Sequence, residues 1–167
     1  MMRRLFILPA AALCVAAAPA QKAPATAAFD AQNPQGLMGL VGEAGAQVRT
    51  DRKDGDSVFV TVTSAAANFS VQFAGCNAQG RACQAALFDS LLEGSPTLAQ
   101  INGFNQTSVF CRIYQDKGGR AHAIYAALLV KSDTRDSAML HLAAWQGCLG
   151  EASGFVRDPV AYLANAA

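Results

Sequence analysis

Histidine is almost missing from this chain: there are two, His122 and His141, beside five cysteines, one tryptophan and 12 acidic residues. A multi-histidine metal centre is thereby excluded, and imidazole acid–base chemistry has only two positions available to it. Charge is scarce too, at 15 % of residues with a formal net charge of +1. No basic stripe tracks a phosphate backbone, so nucleic acid is excluded as a partner. The glycines of "GCNAQGRAC" lack the lysine and helix that complete a phosphate-cradling loop. The turn "DRKDGD" lacks the closing glutamate of an oxygen-ligand calcium loop. These absences leave the sequence without a recognisable cofactor, metal or catalytic constellation.

What is present begins with an export pattern. Arg3 and Arg4 precede an apolar run from Leu5 to about Ala18, and Ala18-Pro19-Ala20 supplies small residues for cleavage. Pro9 interrupts that run, which falls short of the roughly 20 apolar residues a membrane span needs. Residues 1–20 therefore read as a signal peptide and residues 21–28, rich in Ala and Pro, as a flexible leader. An α+β domain is expected over residues 29–157 and a tail over 158–167. Cleavage removes Cys14 and both arginines, which takes the formal balance from +1 to −1. It leaves Cys76, Cys83, Cys111 and Cys148, an even set in a periplasmic or secreted protein.

Cys76 and Cys83 stand too far apart for a C-x-x-C redox centre and outside the usual close spacing at zinc. A disulfide fits better, because Gly75, Asn77 and Gly80 give the intervening turn its backbone freedom. Loop-closure entropy rates such a bridge at about 2.5 kcal/mol. For Cys111 and Cys148 two readings stay open. They form a second bridge, worth about 4 kcal/mol by the same estimate, or they are buried thiols.

Periodicity sets the rest. Asn33 caps and Pro34 opens a helix whose apolar positions are Leu37, Leu40 and Val41, with Gly45 as its stop. The small face at Gly36, Gly39 and Gly42 suits a close neighbour. A meander follows: a strand near Val48, a turn at Asp54-Gly55, alternation through Val58, Val60 and Val62, then Phe69, Val71 and Phe73. The residues after Cys83 fit helix or strand, and strand is chosen as the return arm from the cysteine pair. Ser95 or Thr97 caps a helix bearing Leu98, Ile101 and Phe104. A hairpin turns at Asp116-Lys117-Gly118-Gly119, and a long last helix aligns Ala138, Leu142, Trp145, Leu149 and Ala152. The expectation is an antiparallel sheet, meander plus hairpin, packed with three helices.

Of the two histidines, His122 reads as an exposed strand residue, with a contact to the Cys111 thiol as the reactive alternative. His141 reads as solvent-facing. Asn102 and Asn105 read as residues that bond backbone near a helix end. Trp145 and Phe155 are the candidates for partner binding, the other reading being that they cover the core.

The order of elements, with "DAQNPQGLMGLVGEAG", "NFSVQFAGC", the Cys76 and Cys83 pair, "INGFN" and the Asp-Lys-Gly-Gly hairpin, resembles the YbjN-domain family of bacterial proteins. The resemblance covers Asp30 to about Phe155. It implies a fold like the type III secretion chaperones, a sensory or regulatory role, and no catalytic residues. The expected function is an exported, non-catalytic binding or regulatory module of the cell envelope, with another envelope protein or a peptide held at a sheet edge or the last helix. A structural or stress-protective envelope protein, and a thiol-dependent enzyme using Cys111 and His122, are the alternatives.

Overall fold

The structure is a computed structural model and describes residues 28–166. The expected signal peptide and all but the last residue of the leader lie outside the described residues. Six strands and four helices follow one another as α1 (Pro34–Glu43), β1 (Gln47–Asp54), β2 (Ser57–Thr63), β3 (Asn68–Ala74), β4 (Ala85–Leu91), α2 (Leu98–Thr107), β5 (Arg112–Gln115), β6 (Ala121–Leu128), α3 (Arg135–Arg157) and α4 (Pro159–Asn165). The strands form one antiparallel sheet in the order β1-β2-β3-β4-β6-β5, so the fold is α+β.

Alternation along the strands divides the sheet into two unlike faces. Val58, Val60 and Val62 register against Phe73, Val71 and Phe69, and Val71 and Phe73 in turn against Phe88 and Ala86. All of these except Phe69 are fully buried beneath the helices. The opposite face presents Leu87, Asp89, His122, Ile124 and Leu128, the last of them 79 % exposed.

Local chemistry fixes the helix ends as the sequence suggests. The Asn33 side chain accepts from the Gln35 N–H at 3.2 Å, and Pro34 begins α1. At α2 the cap is Thr97, in a reciprocal box with Gln100. Thr134 and Ser137 do the same for α3. Gly36 has a steric reason to be glycine, since a Cβ there would stand 2.2 Å from the Asp30 carbonyl oxygen. Gly39 and Gly42 have no close neighbour, so only one of the three glycines serves a close approach.

One element departs from expectation. The segment read as a tail after Asp158 forms α4. Pro159 disfavours helical backbone at Asp158 and ends α3, then occupies the first turn of a new helix. The Asp158 carboxylate accepts from the Ala161 N–H at 3.0 Å to cap it. Tyr162 and Leu163 on α4 lean on the core. Gly103, a weak point in α2 by propensity, admits this helix: a Cβ there would lie 3.0 Å from Leu163 Cδ2.

Candidate functional site

Both cysteine pairs are bridged, Cys76 to Cys83 and Cys111 to Cys148. The second bridge ties the approach to β5 to the middle of α3. Both of its cysteines are fully buried. Neither supplies a thiol to His122, whose neighbours are quite different. Its Nδ1 lies 2.9 Å from Asp89 Oδ1, its Nε2 lies 3.5 Å from Asp116 Oδ2, and the ring stacks on Tyr114. Tyr114 donates its hydroxyl proton to Asp89 at 2.7 Å. His122 is therefore not an exposed strand histidine; its side chain is 14 % exposed.

Electrostatics around this cluster follow from its partners. The Arg120 and Gly118 backbone N–H groups and the Arg120 guanidinium hold Asp116 well down, to about 2. Burial, then the bond to Asp89, pushes the Tyr114 hydroxyl up to about 12. The set joins β4, β5 and β6 across the uncovered face of the sheet. Among the described residues no three His, Cys, Asp or Glu side chains form a group able to hold a metal ion. His141 also departs from expectation, with Nδ1 2.8 Å from the Tyr125 hydroxyl.

Trp145 and Phe155 require correction as surface candidates. They are 1 % and 0 % exposed. Trp145 lies between Phe69 and Phe88, at ring separations of 5.5 and 5.6 Å. Phe155 meets Phe104 of α2 at 4.9 Å and Tyr162 of α4 at 5.6 Å. Burying so much aromatic area is what fastens α3 to the sheet and to α2 and α4; neither ring stands out on the surface, and Trp145 meets a recess only as part of its wall.

The sheet edges are guarded as well. At β5, Asn105 of α2 accepts from the Ile113 N–H at 2.8 Å and donates to its carbonyl at 2.9 Å, standing where another strand would pair. At the far edge β1 is exposed throughout and carries Arg49, Asp51, Arg52, Lys53 and Asp54, with a register shift between Thr50 and Arg52. Charges and irregularity of this kind suppress edge pairing.

One recess, of about 390 Å³, lies between α1 and β1, and a longer concave feature runs along α3. On one side stand the end of α1 and the β2 to β3 connection, residues 64–67; on the other stand Leu142, Trp145 and Leu149 of α3. This cavity has a volume of about 370 Å³ and its lining is mainly apolar. Ala66, Ala67, Gln146 and Leu149 also line a second, wetter hollow of about 780 Å³ that continues past Asn68, Glu93 and Ser153 to Arg157. Together they make a groove that is mainly apolar at one end and mixed, with more polar surface, at the other. Sequence reasoning missed it because its walls come from residues near 40, 66, 92 and 149, which only the folded topology brings together.

Comparison of the chain with protein-family models, with curated proteins and with solved structures finds no match. No helix among the described residues is long and apolar enough to cross a membrane.

Proposed function

We propose that this protein is an exported binding or regulatory module of the bacterial cell envelope, of the kind its resemblance to the YbjN-domain family implies, and that it holds its ligand non-covalently in the groove along α3. The groove is the observation that carries this reading. Clefts of about 300–1,000 Å³ with an apolar lining and a few polar groups are the usual form of a ligand site. Two disulfides support residence in an oxidising compartment. The titratable cluster around His122 lies on the other face of the sheet, away from this cleft; Asp89 bonds both the Tyr114 hydroxyl and His122 Nδ1, and His122 Nε2 is buried without a hydrogen-bond partner.

Site-specific photocrosslinking in the producing cell tests the proposal. A photoreactive residue replacing exposed Ala66 in the groove is expected to yield an adduct identifiable by mass spectrometry. The same residue replacing exposed Ala126, on the other face of the sheet, is expected to yield none. Equal labelling from both positions, or none from either, contradicts the proposal.

A further inference from the structure

We infer that the ligand of the groove along α3 is a single-chain zwitterionic amphiphile, with its alkyl chain against Trp145 and its head group between Arg157 and Glu93. The inference rests on the binding-module reading and names the class of ligand. Its first support is the polarity gradient. At the α1 end, Leu40, Val41, Phe69, Leu142, Trp145 and Leu149 furnish an apolar wall. Two polar side chains reach that cavity, Ser64 and Gln146, and the Ser64 hydroxyl is already engaged with both the N–H and the carbonyl of Ala67.

The second support concerns what this end cannot satisfy. The backbone N–H groups of Ala44, Gly45, Ala46 and Ala67, all on its rim, bond within the chain. An extended peptide lying there brings a main-chain donor and acceptor at every residue, and each one buried without a partner costs about 1–3 kcal/mol. An alkyl chain carries no such group, and its burial is favourable in proportion to the area removed from water.

Charge complementarity at the other end completes the case. Arg157 and Glu93 both line the polar hollow, both are exposed, and neither forms an ion pair among the described residues. A cation and an anion that line one hollow match a head group bearing both signs, a phosphate toward Arg157 and a primary ammonium toward Glu93. A simple carboxylate satisfies the arginine alone and sets its own charge near Glu93. A simple ammonium has the converse fault.

The chain's single tryptophan is the probe, since Trp145 forms part of the cavity wall. The full chain is titrated with lauroyl lysophosphatidylethanolamine, laurate and dodecylammonium, each below its micelle concentration, and Trp145 emission is followed. A saturable change is expected for the zwitterion, with Kd about threefold or more below that of either singly charged amphiphile, the scale of one exposed ion pair. Arg157→Gln and Glu93→Gln are each expected to weaken zwitterion binding by a similar factor. Glu93→Gln is expected not to weaken laurate. Gln146→Phe, at an exposed helix position on the groove wall, is expected to abolish the response while circular dichroism stays unchanged.

Absence of a saturable response to the zwitterion overturns the inference, as does equal binding of all three amphiphiles with no effect of Glu93→Gln. If the zwitterion fails but a peptide crosslinks at Ala66, the binding module stands and this ligand class falls. If neither binds, both readings fall.

Discussion

Ala82 has a φ of 52°, the only non-glycine residue in the left-handed region among those described. It sits in the loop closed by Cys76 and Cys83, where the Asn77 side chain gathers the N–H groups of Gln79 and Arg81. The conformation costs an L-residue about 1–2 kcal/mol, and glycine escapes most of this. Ala82→Gly is therefore expected to raise stability by about 1 kcal/mol in urea unfolding, after the entropy glycine loses is subtracted. Gly36→Ala has the opposite sign, because backbone at 2.2 Å cannot yield as a side chain can. At Trp145 and Phe155, truncation to alanine is expected to cost about 3–5 kcal/mol, the range for large aromatic residues in a core. Loss of ligand binding without loss of stability in Phe155→Ala would contradict its placement. The sequence made these two rings visible as important and left their direction open, since a helical stripe marks a face and does not say what the face meets.

Two tyrosines and one aspartate make stability depend on pH. Tyr114 and Tyr162 are both pushed from 10.0 up to about 12, first by burial and then by bonds to Asp89 and Glu151. A phenol raised in the folded state contributes stability in full below its unfolded value and loses it as pH climbs through the folded one. Asp116, lowered from 3.8 to about 2, contributes above 3.8 and loses its contribution as pH falls toward 2. The melting midpoint is expected to decline on the alkaline side between pH 10 and 12, and Tyr114→Phe with Tyr162→Phe to flatten that decline. An alkaline limb unchanged in the double variant would contradict the assignment.

Among the elements, the sheet edge at β5 depends on one side chain from a helix. Asn105→Leu removes two bonds to Ile113 and leaves its backbone groups facing an apolar neighbour. A loss of about 1–3 kcal/mol is expected, with faster amide exchange at Ile113. Unchanged exchange there would mean that the edge is closed by something else. Much at this scale was legible. Alternation of period two located β2 and β3, caps located α1 and α2, an apolar stripe located α3, and the pairing of Cys76 with Cys83 decided for strand at β4. Insertion of β6 between β4 and β5 was not legible, because strand order is set by where the inner faces pack and no local pattern records it. Helix α4 was missed for a simpler reason: residues 158–167 read as a tail, although Asp158-Pro159 is a helix start.

For the whole molecule, the two disulfides act on different spans. Cys76 and Cys83 are seven residues apart and Cys111 and Cys148 are 37 apart. Loop-closure entropy makes the longer bridge worth more, about 4 kcal/mol against about 2.5. Cys111→Ala with Cys148→Ala is expected to lower the denaturation midpoint further than Cys76→Ala with Cys83→Ala, and the reverse order would contradict the entropic account. The helices cover one face of the sheet and leave the other to solvent, and the groove beside α3 joins an apolar recess to a wetter hollow. Uptake of an envelope component by this groove is read from the ¹H–¹⁵N spectrum of the full chain during titration with an extract of the producing cell's envelope. Saturable shifts are expected at the single indole N–H of Trp145 and at the amides of Ala66, Gln146 and Leu149, with Ile124 and Leu128 unmoved. A spectrum that does not change, or changes centred on Ile124 and Leu128, would contradict the account.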